Sequence, residues 1–134
     1  MSAVVADTHT IIWYLRSPEK LSTNALTSLD NALNNGESIF VSAMSLVEMN
    51  YLVEKNRIPS SSLEQLLQLI DDPLVNLVVV PLDAPVAKAF TQISREIVPE
   101  MGDRIIAATS LYLDLPLVTK DHKIRNLSNI QTIW

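Results

Sequence analysis

The sequence predicts an α/β fold, a three-layer sandwich around a central, largely parallel five-stranded sheet. Three observations carry that expectation. Short β-rich runs alternate with longer stretches of helical periodicity from one end to the other. The first strand-like run is apolar at consecutive positions, as a strand covered on both faces must be. The 134 residues fit a single domain over 1–134, and no repeat, low-complexity tract or linker divides them.

The elements follow in order. Ala3-Val4-Val5-Ala6 is the first strand, Thr8 to Arg16 is helical, and Ser17-Pro18 ends that helix. Ser22 N-caps a second helix with an apolar stripe of Ala25, Leu26, Leu29 and Leu33, and Gly36 supplies its left-handed stop. Ser38-Ile39-Phe40-Val41 is the second strand. Ser42 caps the next helix, whose expected buried face is Met44, Val47, Tyr51 and Leu52. Ser61 and Glu64 match an S-x-x-E capping box ahead of Leu63, Leu66, Leu67 and Ile70. Val75 to Val80 is the third strand, and Asp83 and Pro85 start a helix expected to run to about Ile97. After Pro99-Glu100-Met101-Gly102, a helix runs from Asp103 to about Leu113. Leu117-Val118-Thr119 is the fourth strand, and Ile130 to Trp134 is the fifth, at the sheet edge.

Composition narrows the function. With 48% hydrophobic but only 5% aromatic residues, the core must be mainly Leu, Ile, Val and Ala. The absence of cysteine excludes disulfides and thiolate metal sites. Met1 to Asp7 has no basic segment followed by a long apolar stretch, and the apolar run Val75 to Val80 is far too short to span a bilayer. A cytoplasmic protein with no membrane contact is the expectation. A net charge of −5 argues against a simple nucleic-acid-binding module, which carries a basic footprint. Four carboxylates gathered in one metal-filled pocket would account for most of that excess.

Four acidic residues fall where such a pocket would lie. In an open parallel sheet, ligands bind beyond the carboxyl ends of the strands. Asp7 directly follows the first strand, and Asp121 follows the fourth with only Lys120 between. Asp103 begins the helix that returns into the fourth strand. Glu48 lies six residues past Ser42, roughly 9 Å along its helix at 1.5 Å per residue, and its longer arm can reach back. Each has a plainer reading: Asp7, Asp103 and Asp121 suit helix caps or turns, and Glu48 suits a solvated helix face.

The motifs around these residues resemble those of the PIN-domain family, especially its VapC-type bacterial toxins. Val5-Ala6-Asp7-Thr8-His9-Thr10-Ile11-Ile12-Trp13 is similar to the family's opening strand and helix, and Ser42-Ala43-Met44-Ser45-Leu46-Val47-Glu48 to its second acidic motif. The strongest match is Gly102-Asp103-Arg104-Ile105-Ile106-Ala107-Ala108-Thr109 followed by Leu117-Val118-Thr119-Lys120-Asp121. One departure is Pro99-Glu100-Met101-Gly102, where many relatives have an Asp-Pro-Phe-like approach; Gly102 is expected to alter how that helix begins. The resemblance implies a catalytic quartet of Asp7, Glu48, Asp103 and Asp121, with Thr119 lining the pocket. It further implies RNA as substrate, the toxin role in a toxin–antitoxin pair, a cognate antitoxin and a homodimer.

Clustered carboxylates repel one another unless cations join them. Mg²⁺ or Mn²⁺ suits an all-oxygen site and supports in-line hydrolysis of a phosphodiester. Asp7 and Asp103 are the principal expected ligands, with Glu48 and Asp121 completing the site or orienting water. Thr8 either hydrogen-bonds Asp7 or simply begins its helix. His9 and His122 lack metal-ligand spacing, and Arg104 suits a phosphate or a neighbouring carboxylate. Trp13, Tyr14 and Tyr51 read as core or interface residues rather than base-stacking platforms, and Ala107-Ala108 as close helix packing.

Two rival functions remain. A phosphotransfer or phosphatase domain has superficial candidates in Asp83 and Lys120, but Asp7 lacks an acidic neighbour and position 9 holds His9 where an Asp-x-Asp phosphatase needs an acid. A non-catalytic binding module of the same fold would not need an intact quartet.

Overall fold

The computed structural model describes residues 3–134; Met1 and Ser2, part of the segment read for a leader, lie outside the described residues. Five strands form one sheet in the order β3-β2-β1-β4-β5. They are β1 (Val4–Ala6), β2 (Ile39–Ser42), β3 (Leu77–Val80), β4 (Leu117–Val118) and β5 (Thr132–Ile133). Every pairing is parallel, so the "largely parallel" expectation sharpens to an all-parallel sheet.

Side chains alternate across this sheet and divide the core in two. Val4, Ala6, Ile39, Val41 and Val118 face one layer, where α1 (Thr8–Arg16), α2 (Thr23–Asn34), α3 (Ala43–Glu54) and α4 (Ser60–Asp71) contribute Ile11, Leu29, Met49 and Leu66. Val5, Val80 and Leu117 face the other, against α5 (Ala84–Phe90), α6 (Met101–Leu113) and α7 (His122–Arg125) through Val86, Ile106, Ala107, Ala108 and Ile124. Burial on both faces explains why β1 lacks polar alternation. No helix among the described residues is long and apolar enough to cross a membrane.

Caps set several boundaries as the sequence predicts. Ser22 accepts a hydrogen bond from Ala25 N at 3.0 Å and Ser42 one from Met44 N at 3.1 Å. Gly36, just past α2, has φ +69°, the left-handed conformation that glycine adopts without a Cβ clash.

Other boundaries differ, for identifiable reasons. The Ser61/Glu64 capping box does not form. Helix α4 starts at Ser60 with Pro59 in the cap position, so Ser61 lies inside the helix, and its hydroxyl accepts from Arg16 Nη2 at 3.2 Å. Helix α5 stops at Phe90, not near Ile97. Beyond it, Arg104 Nε and Nη2 donate to Ile93 O at 3.2 and 3.0 Å, and Ser94 Oγ accepts from Ile97 N. Those contacts satisfy in turns the groups a longer helix would have paired. Strands β3 and β5 are shorter than expected, and β2 extends through Ser42, one residue beyond the expected end. On α3, Val47 is 61% and Tyr51 56% exposed, so neither belongs to the buried face assigned to them; Ser45 and Met49 do.

Candidate active site

The strand order reverses direction at β1: the chain moves to β2 and β3 on one side and returns to β4 and β5 on the other. Such a switch point leaves a crevice beyond the strand ends. Asp7 leaves β1 and Asp121 follows β4, so these two carboxylates flank the crevice directly. Glu48 approaches from α3 and Asp103 from the first turn of α6. All four line one cleft of about 800 Å³.

Hydrogen bonds fix three of the four carboxylates, those of Asp7, Asp121 and Glu48. Asp7 N-caps α1, its Oδ1 accepting from Thr10 N at 2.9 Å. The Thr119 hydroxyl donates to Asp7 Oδ2 and accepts from Asp121 N at 3.0 Å, so one fully buried threonine ties the two strand-end aspartates together. Asp121 in turn caps α7 through Ile124 N at 3.0 Å. The cap readings of Asp7 and Asp121 and their placement in the cleft therefore hold together, since capping occupies one oxygen of each. Thr10 Oγ1 donates to Val118 O at 2.9 Å and locks α1 onto β4 beside them.

Glu48 is held from the opposite wall. Thr8 Oγ1 donates to Glu48 Oε1 at 2.5 Å, and the Thr8 and Ser45 hydroxyls are hydrogen-bonded at 2.9 Å. Thr8 thus begins α1, as one of its two sequence readings has it, and its hydroxyl orients Glu48 and not Asp7, which neither reading expects. Gly102 is the other constraint: a β-carbon there would stand 2.5 Å from Glu48 Oε2. Sequence reasoning read Gly102 only as altering a helix start. In fact α6 begins at Met101, before Gly102, and Asp103 sits in its first turn instead of opening it. A negative charge in that turn is favoured by the helix dipole.

The electrostatics follow from this crowding. Burial pushes the Asp7 carboxyl above the ordinary carboxylate value, against the lowering effect of its hydrogen bonds from Thr119 and Thr10. Burial also raises Asp103, to about 6, with further contributions from Asp121, Glu48, Asp7 and Glu100. The hydrogen bonds reaching Asp7, Glu48 and Asp121 come from hydroxyls and backbone amides, which leave the negative charge in place. The four carboxylates offer oxygen donors alone, a set that fits a hard divalent cation. Among the described residues no group of three or more acidic, imidazole or thiol side chains is gathered closely enough to hold a metal ion.

The remaining candidates separate clearly. Arg104 points away from the cleft: its guanidinium lies 3.9 Å over the Phe90 ring and donates to the Phe90 and Ile93 carbonyls. It meets neither a carboxylate nor the cleft, contrary to both sequence readings. His9 lines the cleft, its ring 5.6 Å from that of Trp13, whereas His122 opens α7 on the exposed surface. Asp83 caps α5 through Val86 N at 3.3 Å and is outside the cleft lining, which removes the acceptor needed for the phosphotransfer reading. Ala107 and Ala108 are fully buried, as expected of close packing. Sequence reasoning missed the positioning role of Ser45 and the place of Lys120 in the cleft lining; the latter's position between Thr119 and Asp121 was the available signal.

Comparisons with known proteins bear on the family and the fold. The PIN domain family profile matches residues 4–130. Ribonuclease VapC22 of Mycobacterium tuberculosis strain H37Rv is 28% identical over 138 residues, covering 100% of both proteins. The fold is similar to that of a chain of VapBC2 from Rickettsia felis bound to a DNA fragment from their promoter (TM-score 0.72, 16% identity, 97% of this chain and 96% of that one). It is also similar to a chain of DNA-bound VapBC from Salmonella typhimurium (TM-score 0.72, 20% identity, 98% and 97%). A third likeness is FitAcB from Neisseria gonorrhoeae (TM-score 0.63, 22% identity, 96% and 95%).

Proposed function

The chain belongs to the PIN-domain family, and on that premise we propose that it is a Mg²⁺- or Mn²⁺-dependent endoribonuclease, one PIN domain acting in the cytoplasm as the toxin of a toxin–antitoxin pair. The observation that carries this reading is the convergence of Asp7, Glu48, Asp103 and Asp121 on one cleft at the sheet's switch point. The full-length similarity to a protein named as a ribonuclease supports RNA as the substrate.

Each residue has a task in this scheme. Asp7 and Asp103 are the principal ligands for the cation, and Glu48 and Asp121 complete the site or orient the attacking water. When bound, the divalent ion supplies Lewis-acid stabilisation of the phosphate and of the departing oxygen. Thr119 keeps one Asp7 oxygen directed and sets the Asp121 loop, while Thr8 fixes the rotamer of Glu48. Such preorganisation places the charges before substrate arrives, so little reorganisation remains for the transition state. The cations Lys120, Lys123 and Arg125 are exposed beside Asp121 and offset the acidic total where a phosphate backbone would approach.

Purified protein incubated with RNA and Mg²⁺ or Mn²⁺ should cleave it, and EDTA should abolish cleavage. Cleavage unaffected by EDTA would remove the metal-dependent assignment. Induced expression should arrest growth in a host lacking an antitoxin, and coexpressed antitoxin should restore it; harmless expression would remove the toxin role. The antitoxin partner and the homodimer are supported by the VapC-type resemblance, and the former also by the likeness to chains of VapBC and FitAcB structures.

A further inference from the structure

The wall of the cleft has a composition that phosphate binding alone does not require. Beside the acids stand Trp13, Met44, Val47, Tyr51, Leu52 and Ile106. Tyr51 is 56% exposed there, so its ring adds little to the core. On α3 and its C-cap, Glu48, Tyr51 and Lys55 fall at i, i+3 and i+7, one stripe of the helix. That stripe presents a carboxylate, then an aromatic ring, then an ammonium, with Lys55 Nζ 4.6 Å from the Tyr51 ring centroid. A second ring–cation pair stands by the strand-end aspartates: Lys120 Nζ lies 5.8 Å from the Trp13 ring, and both residues line the cleft.

We propose that Tyr51 with Lys55, and Trp13 with Lys120, are two nucleotide subsites flanking the acid cluster, each stacking an unpaired base and binding its adjoining phosphate. The inference rests on the ribonuclease reading of the same cleft and names what that cleft grips besides the scissile phosphate. An aromatic face is a sequence-tolerant platform for any base. A lysine over an exposed ring is held weakly enough for a base to displace it, which frees the ammonium for phosphate. The order of chemistry along α3 matches the substrate: charge at the reacting phosphate, π surface for the base, positive charge for the next phosphate. A duplex keeps its bases stacked inside and cannot offer one to this wall. The expectation that Trp13 packs with the core holds, since it lies against the core cluster and meets Trp134 at 6.1 Å between ring centroids, so Tyr51, 56% exposed, is the less encumbered ring.

Binding is measured in Mg²⁺ with the chain carrying Asp7→Asn, so that the RNA stays intact. The probes are a single-stranded RNA oligonucleotide of mixed sequence and its abasic counterpart of equal length. Adding Tyr51→Ala should weaken binding of the RNA by roughly 5- to 150-fold, the span produced by losing one base–aromatic stack. Tyr51→Phe should bind as its parent does, and the abasic strand should bind weakly whether or not Tyr51 is present. Equal binding of RNA by Tyr51→Ala and its parent, or equal binding of RNA and abasic strand, overturns the inference. So does a Tyr51→Ala variant that changes only the mass in light scattering, which would assign the ring to a contact with a second copy. Cleavage separates this inference from the reading beneath it. Metal-dependent cleavage by Tyr51→Ala with unchanged KM defeats the subsite and leaves the ribonuclease standing, whereas no cleavage by the unmodified chain defeats both.

Discussion

Gly102 and Glu48 pack so closely that a β-carbon on Gly102 would stand 2.5 Å from Glu48 Oε2 and 3.3 Å from Met44 Cε. The obstructed atom is the end of a flexible side chain, so Gly102→Ala should fold, and alanine favours the helix by about 1 kcal/mol. The carboxylate, however, must shift, and that disturbs the hydrogen bond it accepts from Thr8. Since small misplacements near the chemistry are costly, RNA cleavage should fall by roughly 10- to 100-fold without loss of thermal stability. Wild-type activity in Gly102→Ala would show that Glu48 need not sit where it does.

Thr119 should matter through two aspartates at once. Thr119→Val keeps the shape but deprives Asp7 of a hydroxyl donor and Asp121 N of its acceptor. The buried loss should cost about 1–3 kcal/mol of stability in a denaturant titration. With a lowering influence on Asp7 removed, the acid limb of the pH–activity profile should move to higher pH. An unmoved limb would separate Thr119 from the titration of the site.

Arg104 serves α5 and α6, and its replacement should read out as stability. Arg104→Ala removes hydrogen bonds from a cation to the Phe90 and Ile93 carbonyls, together with a ring contact. A loss of about 2–3 kcal/mol is expected by chemical denaturation, with KM for RNA little changed. A large rise in KM at unchanged stability would return Arg104 to the role of phosphate contact.

Charge in the cleft should make the metal-free protein less stable as pH rises. Asp103 titrates near 6 when folded, against 3.8 as the reference value. The folded state therefore holds this proton more tightly, and its stabilising contribution, present below pH 3.8, fades as pH rises toward 6. In EDTA, the melting temperature of wild type relative to Asp103→Asn should decline across that window. Mg²⁺ or Mn²⁺ should recover stability more at pH 7 than at pH 5, because bound cation opposes the same repulsion. A wild-type curve parallel to that of Asp103→Asn would contradict this.

What the sequence showed best was position along the chain relative to a strand end. Asp7 and Asp121 follow β1 and β4 so closely that a parallel sheet leaves them little choice of edge, and the reach of Glu48 followed from helix rise. Contacts between distant elements were another matter. The fit of Gly102 against Glu48 depends on how α3 and α6 approach each other, which neither local pattern encodes. The end of α5 is not encoded locally, because the Phe90 and Ile93 carbonyls are satisfied by Arg104 from another helix. Val47 and Tyr51 have the spacing of a buried face, yet they line an open cleft. Apolar periodicity marks a face without saying whether core or ligand covers it.

The most direct test of the acid cluster is RNA cleavage by Asp7→Asn beside wild type, with both folds checked by circular dichroism and thermal melting. Asparagine is as good an N-cap as aspartate and can still accept from Thr10 N, so α1 should be retained. Removing a charge whose burial is unfavourable should offset the loss of the hydrogen bond from Thr119, leaving the melting temperature near that of wild type in EDTA. Cleavage in Mg²⁺ or Mn²⁺ should nevertheless drop by about 100-fold or more. A folded Asp7→Asn protein that cuts RNA as fast as wild type would place the activity elsewhere and contradict the account.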